Sequence, residues 1–389
     1  MELFGEFEVP LLAGHRFAEE LTLTVAGRWT DYDSYGSDTT YKLGLAYVVT
    51  PQVLLRSTFG TSFRAPALYE QFLADSQGFT PALNDPCNRL IDSDLQPGDN
   101  IYDNCVAELA ALNIPNLDDP TEFRATSSIL SITGGGSDLE AETSDALTIG
   151  FAYTPDWADF SIALDYFNIK VKDTVASPSV GFLLFDCYDS PDFSSAFCSR
   201  IAGRDAQGQL ISVDSSFINI GRQETRGFDI NAVYQRQLPA GRFTIDGTVT
   251  YIDKQEAELF GTVTSLAGRW GFPRWSAQTQ ARYDWQDWRF AWSTSFIGKS
   301  KEGRAFDPGT TNENRNRRTP NHFTHSVSAR YTAANWQAIF TIRNLFDKDP
   351  PVVASGLGNQ GTSRFLNTLP GVGYDLFGRT YVAQLSYQF

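Results

Sequence analysis

The sequence predicts an all-β protein, a transmembrane antiparallel β-barrel of which about thirteen strands can be counted. Three observations predict it. Apolar and polar residues alternate at period two in segment after segment. Tight turns alternate with long connections along the chain. Aromatic residues reach 14%, with 29 Phe, 16 Tyr and 8 Trp, and they gather toward the ends of the alternating runs.

The chain opens directly as a strand, because "ELFGEFEVPLL" sets Leu3, Phe7 and Val9 on one face and Glu2, Glu6 and Glu8 on the other. Further runs start near Leu21, Tyr41, Val53, Leu147, Phe160 and Phe228. "FTIDGTVTY" places Phe243, Ile245, Val249 and Tyr251 against Thr244, Asp246, Thr248 and Thr250. The clearest alternation is "RWSAQTQARYDW", where Trp275, Ala277, Ala281, Tyr283 and Trp285 interleave with Ser276, Gln278, Gln280, Arg282 and Asp284. "WRFAWSTSF" repeats it, and runs near Phe323 and Trp336 follow. The last run, "RTYVAQLSYQF", carries Tyr381, Ala383, Leu385, Tyr387 and Phe389 on one face. A terminus that ends on bulky apolar side chains needs an apolar surround, and lipid supplies it. Many runs hold roughly ten residues, the length with which a tilted strand crosses a bilayer.

On one side the connections are short, at Val49–Gln52, Thr154–Asp159, Leu238–Arg242, Gln286–Asp287 and Ala334–Asn335. On the other, beyond a short link near Ser34–Asp38, they run from Ala65 to Glu142, Ala176 to Ser216, Glu256 to Gly271, Ser300 to Asn321 and Asp347 to Phe377. Loops of that length count against a compact soluble domain and suit an outer-membrane barrel, with short periplasmic turns and long external loops. A soluble sandwich or propeller accounts for the alternation but not for the asymmetry of the loops.

A formal net charge of -15 argues against nucleic acid as partner, since no basic stripe is available to displace counterions. No run of 18 apolar residues occurs, so no helical span is expected, and the start does not read as a signal segment. "GLGNQG" at Gly356–Gly361 lacks a surrounding βαβ unit, and "GKS" at Gly298 lacks the upstream glycine of a phosphate loop. Neither GxSxG nor HExxH occurs, so no enzyme, cofactor or metal site is expected. His322 and His325, three apart on a strand, point to opposite faces and read as surface or belt residues.

Four segments carry a resemblance. "TSFRAPALYEQF" (Thr61–Phe72), "GGGSDLEAETSDALTIG" (Gly134–Gly150), "NIGRQETRGFDINAVY" (Asn219–Tyr234) and "TIRNLFDKDPP" (Thr341–Pro351) resemble, in that order, motifs of TonB-dependent outer-membrane receptors. Tyr381, Leu385, Tyr387 and Phe389 resemble that family's terminal signal for the barrel assembly machinery. As residues, the motifs read as structural: Arg64 and Pro66 close a strand, Gly150 and Gly227 relieve crowding, and Asn344 and Asp347 suit a turn. The resemblance implies a receptor in the outer membrane of a Gram-negative bacterium, embedded in its lipid, that actively takes up a scarce small ligand. Siderophores, cobalamin and oligosaccharides are the ligand classes it implies. It further implies a plug domain in the lumen, on which the TonB complex pulls. Barrels of this transporter size have about 22 strands, so the expectation for residues 1–389 is an incomplete wall: the C-terminal portion of a larger plugged barrel, with plug and N-terminal strands outside the sequence. A passive channel or structural outer-membrane barrel is the alternative, and a soluble carbohydrate-binding β-protein comes third.

Candidate site residues are then of three kinds. The ligand site is placed only as far as the long loops at about 65–142 and 176–216. Cys87 and Cys105 in the first loop, and Cys187 and Cys198 in the second, suit two loop-local disulfides, although four cysteines allow three pairings and free thiols or a metal are alternatives. Arg28, Arg56, Arg282, Arg289, Arg330 and Arg343 share the inward parity of their strands, where they solvate the wall or meet a plug or an anionic ligand. Asp92, Asp94, Asp99, Asp103, Asp118 and Asp119 make the first loop acidic, either as a solvated surface or toward a cation.

Overall fold

A computed structural model describes residues 1–32, 36–115, 117–136, 138–259, 261–301, 318–353, 368–369 and 372–388. The chain begins with four long strands, β1 (Glu2–His15), β2 (Ala18–Tyr32), β3 (Gly36–Thr50) and β4 (Val53–Arg64). Helix α1 (Leu68–Phe72), β5 (Ser76–Thr80), α2 (Asn100–Ala111) and β6 (Ile129–Thr133) follow. Two more long strands, β7 (Glu142–Tyr153) and β8 (Phe160–Ala176), lead to α3 (Val180–Tyr188) and β9 (Ser212–Asp214). Next come β10 (Ile218–Leu238), β11 (Gly241–Leu259), β12 (Thr262–Ser265), β13 (Trp275–Trp285) and β14 (Trp288–Ile297). The last are β15 (Ser300–Lys301), β16 (Arg318–Thr319), β17 (His322–Thr332), β18 (Trp336–Arg343) and β19 (Thr380–Tyr387).

Thirteen of these form one antiparallel path, β1-β2-β3-β4-β7-β8-β10-β11-β13-β14-β17-β18-β19, with β12 added beside β11. Each wall strand pairs with its neighbour in sequence, the up-and-down order of a membrane barrel, and β1 and β19 are the edges of the sheet. The short link expected at Ser34–Asp38 lies partly at residues 33–35, outside the described residues.

The register sorts side chains onto two faces. Directly opposed residues point the same way, so the pairs Ile245↔Ala281, Ala281↔Trp292 and Trp292↔Val327 carry one apolar face across four strands. At the tight-turn end of that face, Trp288 lies 5.0 Å from Tyr331 and Tyr331 lies 5.2 Å from Trp336. Near the other end, the tilted rings of Tyr251 and Trp275 pack at 4.5 Å, and those of Phe296 and Phe323 at 4.6 Å. From Trp275 to Trp285, ten steps of about 3.4 Å tilted by about 40° rise about 26 Å, which matches the apolar band of a membrane barrel between its two aromatic girdles.

β10 and β11 run beyond the upper girdle, and β10 begins ten residues before the Phe228 that the alternation marked. Past Phe228 its outward residues turn from aromatic to charged. Arg226 pairs with Asp253 at 2.5 Å and Lys254 with Glu224 at 2.7 Å, so the strands rise clear of hydrocarbon into water.

The connections at the long-loop end are not structureless. The described residues of 65–141 and 177–217 fold together into one cap with a core of Leu90, Leu109, Phe123, Ile129, Leu183, Leu184, Tyr188 and Val213. The core is covered by α2 and α3, and a three-stranded sheet, β5-β6-β9, pairs strands from both loops.

Candidate functional site

The cap is built around one buried cation. Arg204 donates through Nη1 and Nη2 to Asp85 at 2.7 and 2.8 Å, and through Nε to Glu108 at 2.7 Å. Its Nη2 also donates to Tyr188 Oη at 3.0 Å, while Tyr188 Oη donates to Glu108 Oε2 at 2.6 Å. The Arg204 and Asp85 side chains are 0% and 1% exposed. The rings of Phe123 and Tyr188 each lie 5.5 Å from the guanidinium carbon. Burial alone works against the charge on Arg204, but the Asp85 hydrogen bonds and the surrounding negative charge outweigh it and raise its pKa further. Burial pushes the Tyr188 hydroxyl well above the usual tyrosine value, so it stays a donor. Asp85 and Glu108 come from the first loop and Tyr188 and Arg204 from the second, so this network joins the two.

Two disulfides flank it. Cys87 is bonded to Cys105 and Cys187 to Cys198, each within its own loop. Among the acidic residues of the first loop, Asp99 Oδ2 accepts from Gln96 N at 2.7 Å, Asp103 Oδ1 from Gly98 N at 3.1 Å and Asp119 Oδ1 from Thr121 N at 2.9 Å. The Thr121 backbone and side-chain hydrogen bonds hold Asp119 below the usual carboxylate range. These acids terminate turns and helices, and among the described residues no group of His, Cys, Asp or Glu is arranged to hold a metal ion.

Three of the four motifs meet where cap joins wall. Arg64 donates to Glu142 at 2.6 and 2.8 Å and to Glu70 at 3.0 and 3.1 Å. Glu70 in turn accepts from Ala67 N at 2.7 Å and so starts α1. Gly135 N donates to Leu73 O at 2.8 Å, and a Cβ at Gly135 would lie 2.2 Å from Gln71 O, so only glycine fits against α1. Asn219 exchanges hydrogen bonds with the Glu140 backbone at 2.8 and 2.9 Å. The fourth motif makes a turn of its own, with Asn344 and Asp347 at positive φ and Asn344 bonded to Lys348 in both directions.

Where the cap meets the wall these segments line a partly open cavity of about 730 Å³. Asp75, Glu140, Asp173, Asp214, Arg200, Ser216 and Asn219 are among its lining residues, and Arg200 pairs with Asp214 at 3.1 Å.

The inward arginines are distributed along the wall. Arg28 pairs with Glu2 at 2.6 Å, Arg56 with Asp165 at 2.7 Å and Arg282 with Asp246 at 2.8 Å, and Arg289 pairs with Asp284. Arg330 stands opposite Arg289, and Arg343 ends β18 opposite Thr380. The arginine set is thus a ladder along the inner face and does not converge on one point. Tyr381, Leu385 and Tyr387 share one face of β19, the face that Phe340 joins, while Phe389 lies outside the described residues. The "GLGNQG" segment also lies outside them. His325 sits in the outer belt, with Thr294 at 2.9 Å, whereas His322 is a correction to the expectation: it is buried against Tyr374, where the long-loop end has a second small core.

A thirteen-strand up-and-down wall with two aromatic girdles, a polar inner face and a folded cap defines a large membrane β-barrel protein. Its sequence matches the family model "TonB dependent receptor-like, beta-barrel" over residues 2–345, so the chain belongs to the TonB-dependent receptor family. No curated protein sequence matches it. Among solved structures, a variant of the ferric enterobactin receptor PfeA from Pseudomonas aeruginosa is similar over 100% of this chain, with 17% identity and a TM-score of 0.63. The siderophore receptor PirA from Acinetobacter baumannii is similar over 100%, with 15% identity and a TM-score of 0.59. The FrpB iron transporter from Neisseria meningitidis is similar over 99%, with 14% identity and a TM-score of 0.51. The chain spans 44%, 46% and 45% of those three proteins.

Proposed function

We propose that the chain forms the wall and cap of an outer-membrane receptor that captures a scarce small ligand in its cap and takes it up actively. The observation that carries this reading is the partly open cavity of about 730 Å³ between a folded, two-loop cap and the top of a transmembrane wall, a volume suited to a small molecule. Solved structures of similar fold include siderophore receptors and an iron transporter, so a ferric siderophore is the first ligand class to test, ahead of cobalamin and oligosaccharides. The reading places the protein in the outer membrane of a Gram-negative bacterium, inserted by the barrel assembly machinery. A plug fills the lumen and couples to the TonB complex. The test is accumulation of labelled ferric siderophore in iron-starved cells carrying the full-length receptor, with and without TonB. Uptake that is TonB-dependent and saturable is expected; equal uptake without TonB would favour a passive channel and overturn the reading.

A further inference from the structure

Within that ladder, Arg282, Arg289 and Arg330 lie with Arg242 near the tight-turn end of four adjacent strands. At one height across the sheet, Arg242 of β11 stands opposite Asp284 of β13, Asp284 opposite Arg289 of β14, and Arg289 opposite Arg330 of β17. One step higher on the same face, Arg282 pairs with Asp246 at 2.8 Å. Four guanidiniums therefore face two carboxylates, a local excess of two positive charges in a chain whose formal net charge is -15.

Like charges directly opposite across two strands destabilise a sheet, and arginine cannot escape by losing its proton. Asp284 neutralises Arg289. Arg330 has no ion-pair partner among the described residues, and its Nε is buried without a hydrogen bond among them. Such a pair becomes favourable when an anion bridges it, and the planar fork of a guanidinium fits a carboxylate with two bonds. The patch lies on the face opposite Trp288, Phe290 and Tyr331, which excludes a lipid headgroup. It is also a full strand length away from the cavity under the cap, which separates it from the ligand's point of capture.

We propose that Arg289 and Arg330 dock an acidic side chain of the polypeptide that fills the lumen, and so help hold the plug in its closed seat. This rests on the plugged-receptor reading above. The test is ion conductance of the purified full-length receptor in planar bilayers, for wild type, Arg330→Gln, Arg330→Lys and Arg330→Glu, with heat-modifiable migration as the control for folding. Losing a desolvated charge pair should raise the open fraction about tenfold or more in Arg330→Gln, and further in Arg330→Glu, while Arg330→Lys, which keeps the charge but not the fork, raises it less than Arg330→Gln. Restoration of closure in Arg330→Glu by exchanging one acidic plug residue for lysine identifies the partner. If Arg330→Glu fails to fold, Arg289→Gln and Arg330→Gln carry the same expectation. A closed wild type whose folded variants all stay closed overturns the docking alone, as does a change confined to ligand affinity. A wild type that already conducts overturns the plugged reading and the docking with it.

Discussion

Replacing Asp85 by Asn removes the charge that faces Arg204 while keeping an oxygen to accept from Cys87 N, now at 2.9 Å. Asp85 and Arg204 are 1% and 0% exposed, so the guanidinium left behind cannot turn to water. Glu108, 25% exposed, still reaches Nε at 2.7 Å and offsets part of the loss. Breaking a buried pair by neutralising one partner costs about 3–5 kcal/mol, which corresponds to roughly a hundredfold to a few thousandfold increase in cap opening. The barrel wall does not share this network, so the effect should stay local. Hydrogen exchange on the folded receptor is the assay: amides of α2 and α3 should lose protection by that factor, and those of β13 and β14 should not. Arg204→Met combined with Asp85→Leu should recover much of the loss, since it leaves neither charge buried. Unchanged cap protection in Asp85→Asn, or equal losses in the wall, would refute the hub as the joint between the two loops.

Reduction of the cap disulfides, which close segments of 18 and 11 residues, should weaken the cap by about 3 kcal/mol each while leaving heat-modifiable migration intact. Phe290→Arg should lower the folding free energy in lipid vesicles by about 2–4 kcal/mol, whereas Ser293→Arg on the inner face should be tolerated. Gly150→Ala should lower the folding free energy by about 1–3 kcal/mol, because the new Cβ lies 2.2 Å from Asp165 Oδ1 and 2.7 Å from Arg56 Nε. The raised pKa of Tyr188 makes its contribution to cap stability complete below the ordinary tyrosine value of about 10 and lost as pH rises beyond it, so cap protection should fall in the alkaline range; a cap indifferent to pH there would show that the Tyr188 hydroxyl is not sealed in.

The wall was legible because its signal is local. Within β13 and β14 one parity meets lipid and the other water, so a window of ten residues holds the whole pattern. The same reasoning explains where it stopped short. Above Phe228 the outward positions of β10 become Arg226, Glu224 and Arg222, both faces are wet, and alternation loses its contrast even though pairing continues as far as Gly221↔Leu259. The cap was illegible for a different reason. Arg204 meets Asp85 across 119 residues, and β6 pairs with β9 across an intervening pair of wall strands. No periodicity encodes such contacts; the four cysteines were the only local sign that these segments are held together.

The division also explains why family and ligand are unequally readable. Arg64, Glu142, Gly135 and Asn219, which carry the resemblance, are spent on the joint between wall and cap. A receptor for any ligand needs that joint, so motifs of this kind identify the architecture whatever it transports. Six of the fourteen residues that line the cavity belong to the motifs, Gly135, Gly136, Asp138, Leu139, Glu140 and Asn219, but its remaining charged residues, Asp75, Asp173, Arg200 and Asp214, lie outside them. Selectivity set by those positions varies independently of the fold, so a ligand is to be sought by measuring binding to this cavity, and not by extending the resemblance.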